Sequence, residues 1–422
     1  MNQSLDIHPV RSFRDPNRLK DDTSQHPLAF GCTQCPELGR CGGLHNGADM
    51  FDCDALCTCT DKVACDRVCR SNAKHFVQSV REVGDLKLDS VPRAAPVRMP
   101  PLPKVIPLIE HRSRRNKRFQ ADAIALPLYR VVDLQHGILH VSSREQLAER
   151  FCISADAKIV LSGVEKDRYI ERWWELKNRK DLLLGLARLG IGMVTSPNYS
   201  VLTDVPRTDN LHAIKRIALA WAEMANAGLP AALHVNARTE QDYRNWQAMI
   251  AEREEIAALA FEFATGSGHS ERIDWHVEQL CRLAATVGRP LVLIMRGGSR
   301  KLHMLAQHFA DVTLLETESF AKTRCRRRAK ILDGRLKWTP SLTPEGAPLD
   351  ELLAHNATAV RRFYEVPPAP TPKLRLPGRP VRRAANRNDQ SVQPGLLDGL
   401  HLASQARLIA ANRHRVITTT KT

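Results

Sequence analysis

The feature that most constrains this chain is an alternation. From residue 122 to about 320, short apolar runs take turns with amphipathic helical patterns. Such a sequence builds βα units around a parallel sheet. The strand-like runs are 123–131, 138–142, 158–164, 192–196, 231–236, 259–264, 290–296 and 312–317. Helical stretches separate the later ones. One opens at an Asp209/Asn210 cap and stops at Gly228, one follows Thr239, one runs from Ser270 to Gly288, and one follows Ser299. Eight strands followed by helices predict a TIM-barrel-like (β/α)8 α/β domain over 121–335. The competing arrangement is an open doubly wound sheet. A helical extension is expected over 336–365.

In a barrel, chemistry gathers at the C-terminal ends of the strands. There the fifth run offers His234, Asn236 and Arg238 on one face of the alternation, the sixth Glu262, and the eighth Glu316; Asp204 follows the fourth. Polar side chains on an interior face are costly unless used, so these six are candidates for acid–base or positioning work. The alternative is a buried network that satisfies itself. Arg296-Gly297-Gly298-Ser299-Arg300 opens the helix expected after the seventh strand. Bare N–H groups at a helix start favour an anion, so these five are candidate phosphate contacts.

Ahead of the barrel stands a Cys-rich module, 31–85. Eight of the chain's 11 cysteines, Cys32, Cys35, Cys41, Cys53, Cys57, Cys59, Cys65 and Cys69, fall within it. A segment this poor in apolar residues cannot fold on a core, and clustered thiolates read as metal ligands. The irregular spacing favours an iron–sulfur cluster (4Fe-4S) over zinc, with one site or two left open. The radical-SAM spacing C-x3-C-x2-C is absent. Cys152 and Cys281 read as core residues; Cys325 is set among arginines, which lower a thiol's pKa, and a reactive thiol there is the less favoured reading.

The formal net charge is +16, and it is concentrated. Residues 93–118, inside a Pro/Arg-rich linker (86–120), net +7; residues 319–330 net +6; the tail 366–422 nets +8; the rest of the chain nets −5. Mobile basic arms suit phosphate, so nucleic acid or a nucleotide-like ligand is the expected partner. Residues 1–30 and the tail read as disordered. No apolar run is long enough to span a membrane and the N-terminus has no apolar signal region, so a cytoplasmic protein without membrane association is expected.

Ser196-Pro197-Asn198-Tyr199-Ser200, with Asp204-Val205-Pro206 behind it, resembles the domain of unknown function 4417 family, whose hallmark is Ser-Pro-Asp-Phe-Ser…Asp-Met-Pro. The likeness covers about residues 158–320 and departs at Asn198, at Tyr199 and in the added Cys module. It implies a setting on phages, plasmids and other mobile elements rather than a reaction. The expectation is a metalloprotein whose barrel mouth binds or acts on nucleic acid or a phosphate-bearing ligand. A non-catalytic binding protein with a structural zinc module and an iron–sulfur redox enzyme are the alternatives.

Overall fold

The computed structural model describes residues 79–201, 207–265, 270–344 and 346–366. The eight clustered cysteines, Asp204 and the tail from 367 onward lie outside the described residues.

Eight parallel strands form one sheet: β1 (Val105–Pro107), β2 (Ala123–Pro127), β3 (Lys158–Ser162), β4 (Met193–Thr195), β5 (Ala231–His234), β6 (Ala258–Glu262), β7 (Val292–Arg296) and β8 (Asp311–Glu316). The hydrogen-bonded order runs from β2 through β7 to β8 and then to β1. A parallel bridge between Leu108 and Ala125 brings β1 back against β2, with the Ile109 N–H donating to the Ala125 carbonyl at 2.8 Å. The sheet is therefore barrel-like and nearly closed, as the alternation of strands and helices predicted. An open doubly wound order would leave two unpaired edges.

Helices α1 (Arg144–Phe151), α2 (Asp167–Glu175), α3 (Arg179–Arg188), α4 (Arg207–Asn226), α5 (Glu240–Ala251) and α6 (Ser270–Val287) connect the strands from β2 to β7. Their ends follow local chemistry. Thr239 and Asp242 form a reciprocal capping box at α5, and Gly228 and Gly288, both at positive φ, end the turns after α4 and α6. A four-residue helical turn (Leu128–Val131) follows β2, and a short α7 (Leu302–Leu305), α8 (Glu318–Arg324) and α9 (Asp350–Glu365) come later in the chain. Between α8 and α9 lies an antiparallel hairpin of β9 (Arg327–Leu332) and β10 (Arg335–Pro340).

Period-two alternation sorts the strand residues into two cores. Ile106, Leu108, Ala123, Ala125, Val160, Met193, Ala232, Ala258, Ala260, Ile294 and Leu315 fill the barrel interior. The larger cluster, with Trp173, Trp221 and Trp246 fully buried, packs the strands' outer faces against the helices. Cys152 and Cys281 are buried, as expected, and Cys325 is exposed.

Two expectations are corrected. The run 138–142 is not a barrel strand: Ile138–Leu139 pairs only with Val132–Asp133 in a small hairpin. The missing strand is β1, inside the stretch read as an extended linker. Prolines hid it, yet a proline at a strand's end gives up no central ladder bond. The basic linker is also not a free arm. Met99 and Leu102 pack against the barrel interior, and the residues before them are clasped from below. The buried Lys215 Nζ binds Asp85 (3.2 Å) and Ser90 Oγ (2.5 Å), and Arg253 donates to the carbonyls of Asp89 and Val91. Arg93 pairs with Glu255, and the buried Arg115 donates to the Cys152 carbonyl. Of the cations in 93–118, Arg93 and Arg115 thus serve internal contacts.

Candidate functional site at the barrel mouth

Five consecutive strands end in an inward polar residue, each two positions beyond an inward apolar one. Val160 is followed by Ser162, Met193 by Thr195, Ala232 by His234, Ala260 by Glu262 and Ile294 by Arg296. All but Arg296 are buried. One side of the mouth, from β3 to β7, is therefore polar, while Leu108 and Leu315 keep β1 and β8 apolar.

The β4–α4 loop builds the support for this row. Ser196, wholly buried, holds His234 twice: its Oγ accepts the His234 backbone N–H at 2.9 Å, and its carbonyl lies 2.5 Å from His234 Nδ1. Burial depresses the imidazole to a pKa of about 4 against the help of that carbonyl, and the Arg296 charge pushes the same way. At neutral pH the ring is uncharged. Its Nδ1–H donates to Ser196, so Nε2 carries a lone pair, the form that accepts a proton or a hydrogen bond.

Glu262 and Arg296 are register partners on β6 and β7. Glu262 Oε1 accepts the Ala264 N–H at 2.7 Å, while Oε2 stands 3.7 Å from Arg296 Nε, too far for a hydrogen bond. Burial raises the Glu262 pKa, opposed by Arg296. Arg296 donates Nη1 to the Val164 carbonyl at 3.1 Å. Ser162 Oγ, Asn198 Oδ1, Glu262 Oε2 and Arg296 Nε are all buried without a hydrogen-bond partner. Unpartnered polar atoms are costly, and these four sit on residues at or just past the C-terminal ends of β3, β4, β6 and β7.

Of the candidates read from the sequence, His234, Glu262 and Arg296 come together at the mouth. Asn236 and Arg238 lie past the end of β5, so the alternation no longer carries them inward. Asn236 is a tie: Nδ2 donates to the Tyr199 carbonyl and its own carbonyl accepts Trp246 Nε1–H, both at 3.0 Å. The Arg238 backbone joins the α5 cap through Asp242, and its carbonyl accepts from Arg272. Glu316 is a correction. Leu315 points into the barrel, so Glu316 points out, where Oε1 caps α8 by accepting the Ser319 N–H at 2.8 Å.

The helix expected behind the Gly-rich loop is shorter than predicted. Ser299 opens a single 3-10 turn (Ser299–Lys301) and the four-residue α7, not a full helix, so no summed dipole faces the loop. The glycines have a packing reason instead. A Cβ on Gly297 would sit 2.5 Å from the Ala264 nitrogen, and one on Gly298 2.7 Å from the Phe263 ring. Ser299 Oγ accepts a hydrogen bond from Tyr364 of α9, and Arg300 is exposed.

Ser162 and Thr195 were missed. The signal was present, since each falls two residues after an inward apolar residue, but short hydroxyl side chains at strand ends do not stand out from ordinary turn residues. Among the described residues, no group of three or more His, Cys, Asp or Glu side chains is placed to hold a metal. Among them, too, no helix is long and apolar enough to cross a membrane.

Fold and site together define a barrel-like α/β protein with a row of polar residues at the C-terminal strand ends. No family model, no curated protein and no solved structure matches the chain.

Proposed function

We propose that the barrel mouth binds a phosphate-bearing ligand, with Arg296 taking the anionic group and His234 Nε2 accepting a hydroxyl proton or hydrogen bond from the same ligand. The observation that carries this is the set of unpartnered buried atoms on inward strand ends, Ser162 Oγ, Glu262 Oε2 and Arg296 Nε, beside a neutral imidazole. A guanidinium held open at 3.7 Å from its carboxylate can close on an anion without breaking a hydrogen bond to Glu262. Glu262, whose proton is retained more readily than usual, repels that anion less than an ordinary carboxylate would. Isothermal titration with inorganic phosphate tests the reading. Arg296→Gln is expected to weaken binding by about 10- to 100-fold, the worth of a charged hydrogen bond. Unchanged affinity in that variant, or no binding by the intact protein, would overturn it.

The N-terminal cysteines support a second component, a thiolate-bound metal centre, iron–sulfur in preference to zinc. Anaerobically purified protein is expected to contain iron and sulfide and to absorb in the visible, with the absorption lost on Cys→Ser changes at Cys53, Cys57 or Cys59. A colourless protein with stoichiometric zinc would remove the iron–sulfur assignment. The likeness of residues 196–206 to the domain of unknown function 4417 family adds a mobile-element setting to this reading, and rests on those residues.

A further inference from the structure

The basic segment after β8 is a built element with two different faces. β9 and β10 pair in register, with Arg328 opposite Thr339, Lys330 opposite Lys337 and Leu332 opposite Arg335. Between them Asp333 and Gly334, at φ 51° and 67°, make the tight two-residue turn whose twist suits a hairpin. Directly opposed residues share a face, so Arg328, Lys330, Arg335 and Lys337 lie together on one side. Ala329 and Trp338, with Ile331 and Leu336, lie on the other.

That second face is anchored. Ala329 is buried, and its N–H donates to Asn356 Oδ1 of α9 at 2.8 Å. The fully buried Asn356 also donates Nδ2 to the Arg327 carbonyl (2.8 Å) and to Thr323 Oγ1 of α8 (2.9 Å), and His355 Nε2 lies 2.9 Å from the Ala329 carbonyl. The ribbon is thus held by α8 and α9 along the outer edge of β9 and by the burial of Ala329, and its cationic face lies opposite Ala329. Lys330, Arg335 and Lys337 are exposed and Arg328 is half-buried.

Four cations on so small a surface work against folding. Residues two apart on a strand are about 7 Å from each other, and opposed residues about 5 Å. Like charges directly opposite are destabilising, as Lys330 and Lys337 are, and among the described residues none of the four forms an ion pair with an acid. A polyanion offsets that repulsion. We propose that this face is a docking surface for duplex DNA. A two-stranded ribbon matches the width of the B-form major groove, whereas the A-form groove of RNA is too deep and narrow to admit it. The phosphates along the groove edges supply charge at the density the four cations require. Leu332, 43% exposed and opposite Arg335 on the same face as the four cations, supplies apolar contact with base edges. This inference is independent of what the barrel mouth binds.

The test is fluorescence anisotropy of a labelled 20-base-pair duplex with the full chain across a salt series. Replacing Arg328, Lys330, Arg335 and Lys337 together by Gln should weaken binding on the order of 100-fold at low salt and reduce the slope of log K against log salt by about 3 to 4. Phosphate binding at the mouth should be unchanged in that variant. Lys337→Glu should weaken duplex binding while leaving the thermal midpoint unchanged or higher, because it removes the Lys330 repulsion; a loss of binding through misfolding would lower it. Equal affinity and slope in the intact protein and the four-Gln variant would overturn the proposal. So would binding of the intact protein to phosphatidylserine vesicles but not to the duplex.

Discussion

Gly163→Ala is expected to lower stability by about 3 kcal/mol and to abolish ligand binding at the mouth, read by denaturant unfolding and by phosphate titration. Gly163 follows β3, beside the backbone at the end of β4. A Cβ there would sit 2.4 Å from the Thr195 carbonyl oxygen and 2.5 Å from that of Ser196. Both are backbone atoms, so no side chain can swing away, and the strand ends must separate. Gly163 is also a hydrogen-bond pivot. Its N–H donates to Thr195 Oγ1 at 2.8 Å, and its carbonyl accepts from the Asn198 N–H (3.1 Å) and the Tyr129 hydroxyl (3.2 Å). The displaced Ser196 carbonyl is the one that fixes the His234 tautomer, so the cost reaches the site directly. Gly190→Ala is the control: that glycine is at positive φ with open space around it, so it should lose only about 1 kcal/mol and keep binding. Equal losses in the two variants would refute the close-approach argument.

The second large effect is on pH dependence. Glu316 is buried beside a cavity of about 110 Å³ lined by Val105, Pro107, Phe119 and residues of α9. Burial raises its pKa to about 7 despite the hydrogen bonds from Ser319, with a smaller push from Glu318. The folded state therefore keeps a proton that the unfolded chain releases near pH 4.5. The stability from this group is complete below that value and is lost as pH rises through about 7, a change on the order of 3 kcal/mol. His234 acts in the opposite sense. Its pKa is depressed to about 4, so its contribution is present above about 6.5 and is lost as pH falls toward 4. Glu316→Gln keeps an acceptor for the Ser319 N–H and removes the ionisation. The variant should match the native chain near pH 4.5 and exceed it by up to about 3 kcal/mol at pH 8, measured by urea unfolding at both values. Parallel stability curves would show that Glu316 is not buried as an acid.

Some of this was legible before the fold was known. Seven of the eight barrel strands announce themselves as apolar runs, because a parallel strand covered on both faces must be apolar at nearly every position. The capping box at Thr239 and the stop at Gly228 are equally local. His234 and Glu262 could be picked out, since each is a polar residue set between apolar neighbours at the end of such a run.

Other features were hidden for physical reasons. β1 has three residues among prolines, and its identity comes from pairing with β8, more than 200 residues away. Glu316 and Leu315 look equally placed at a strand end; only the closed sheet decides which one faces inward. The glycines at 297 and 298 read as an anion cradle, while their close neighbours, Phe263 and Ala264, come from another strand. The basic segment at 319–330 read as a loop because its partner strand, β10, was absorbed into the expected extension.

What the sequence by itself determined is the architecture and the residues available to it: a parallel βα barrel, a cysteine-rich stretch ahead of it, and charge gathered in three places. These follow from periodicity, capping and composition, which act over a few residues. The tertiary structure alone decided which polar groups meet. Closing the sheet aligned Ser162, Thr195, His234, Glu262 and Arg296 and turned Glu316 outward, and the separate pairing of β9 with β10 set four cations side by side on the hairpin. The reason is that register between distant strands fixes side-chain direction, and register is a property of the assembled sheet rather than of any one segment.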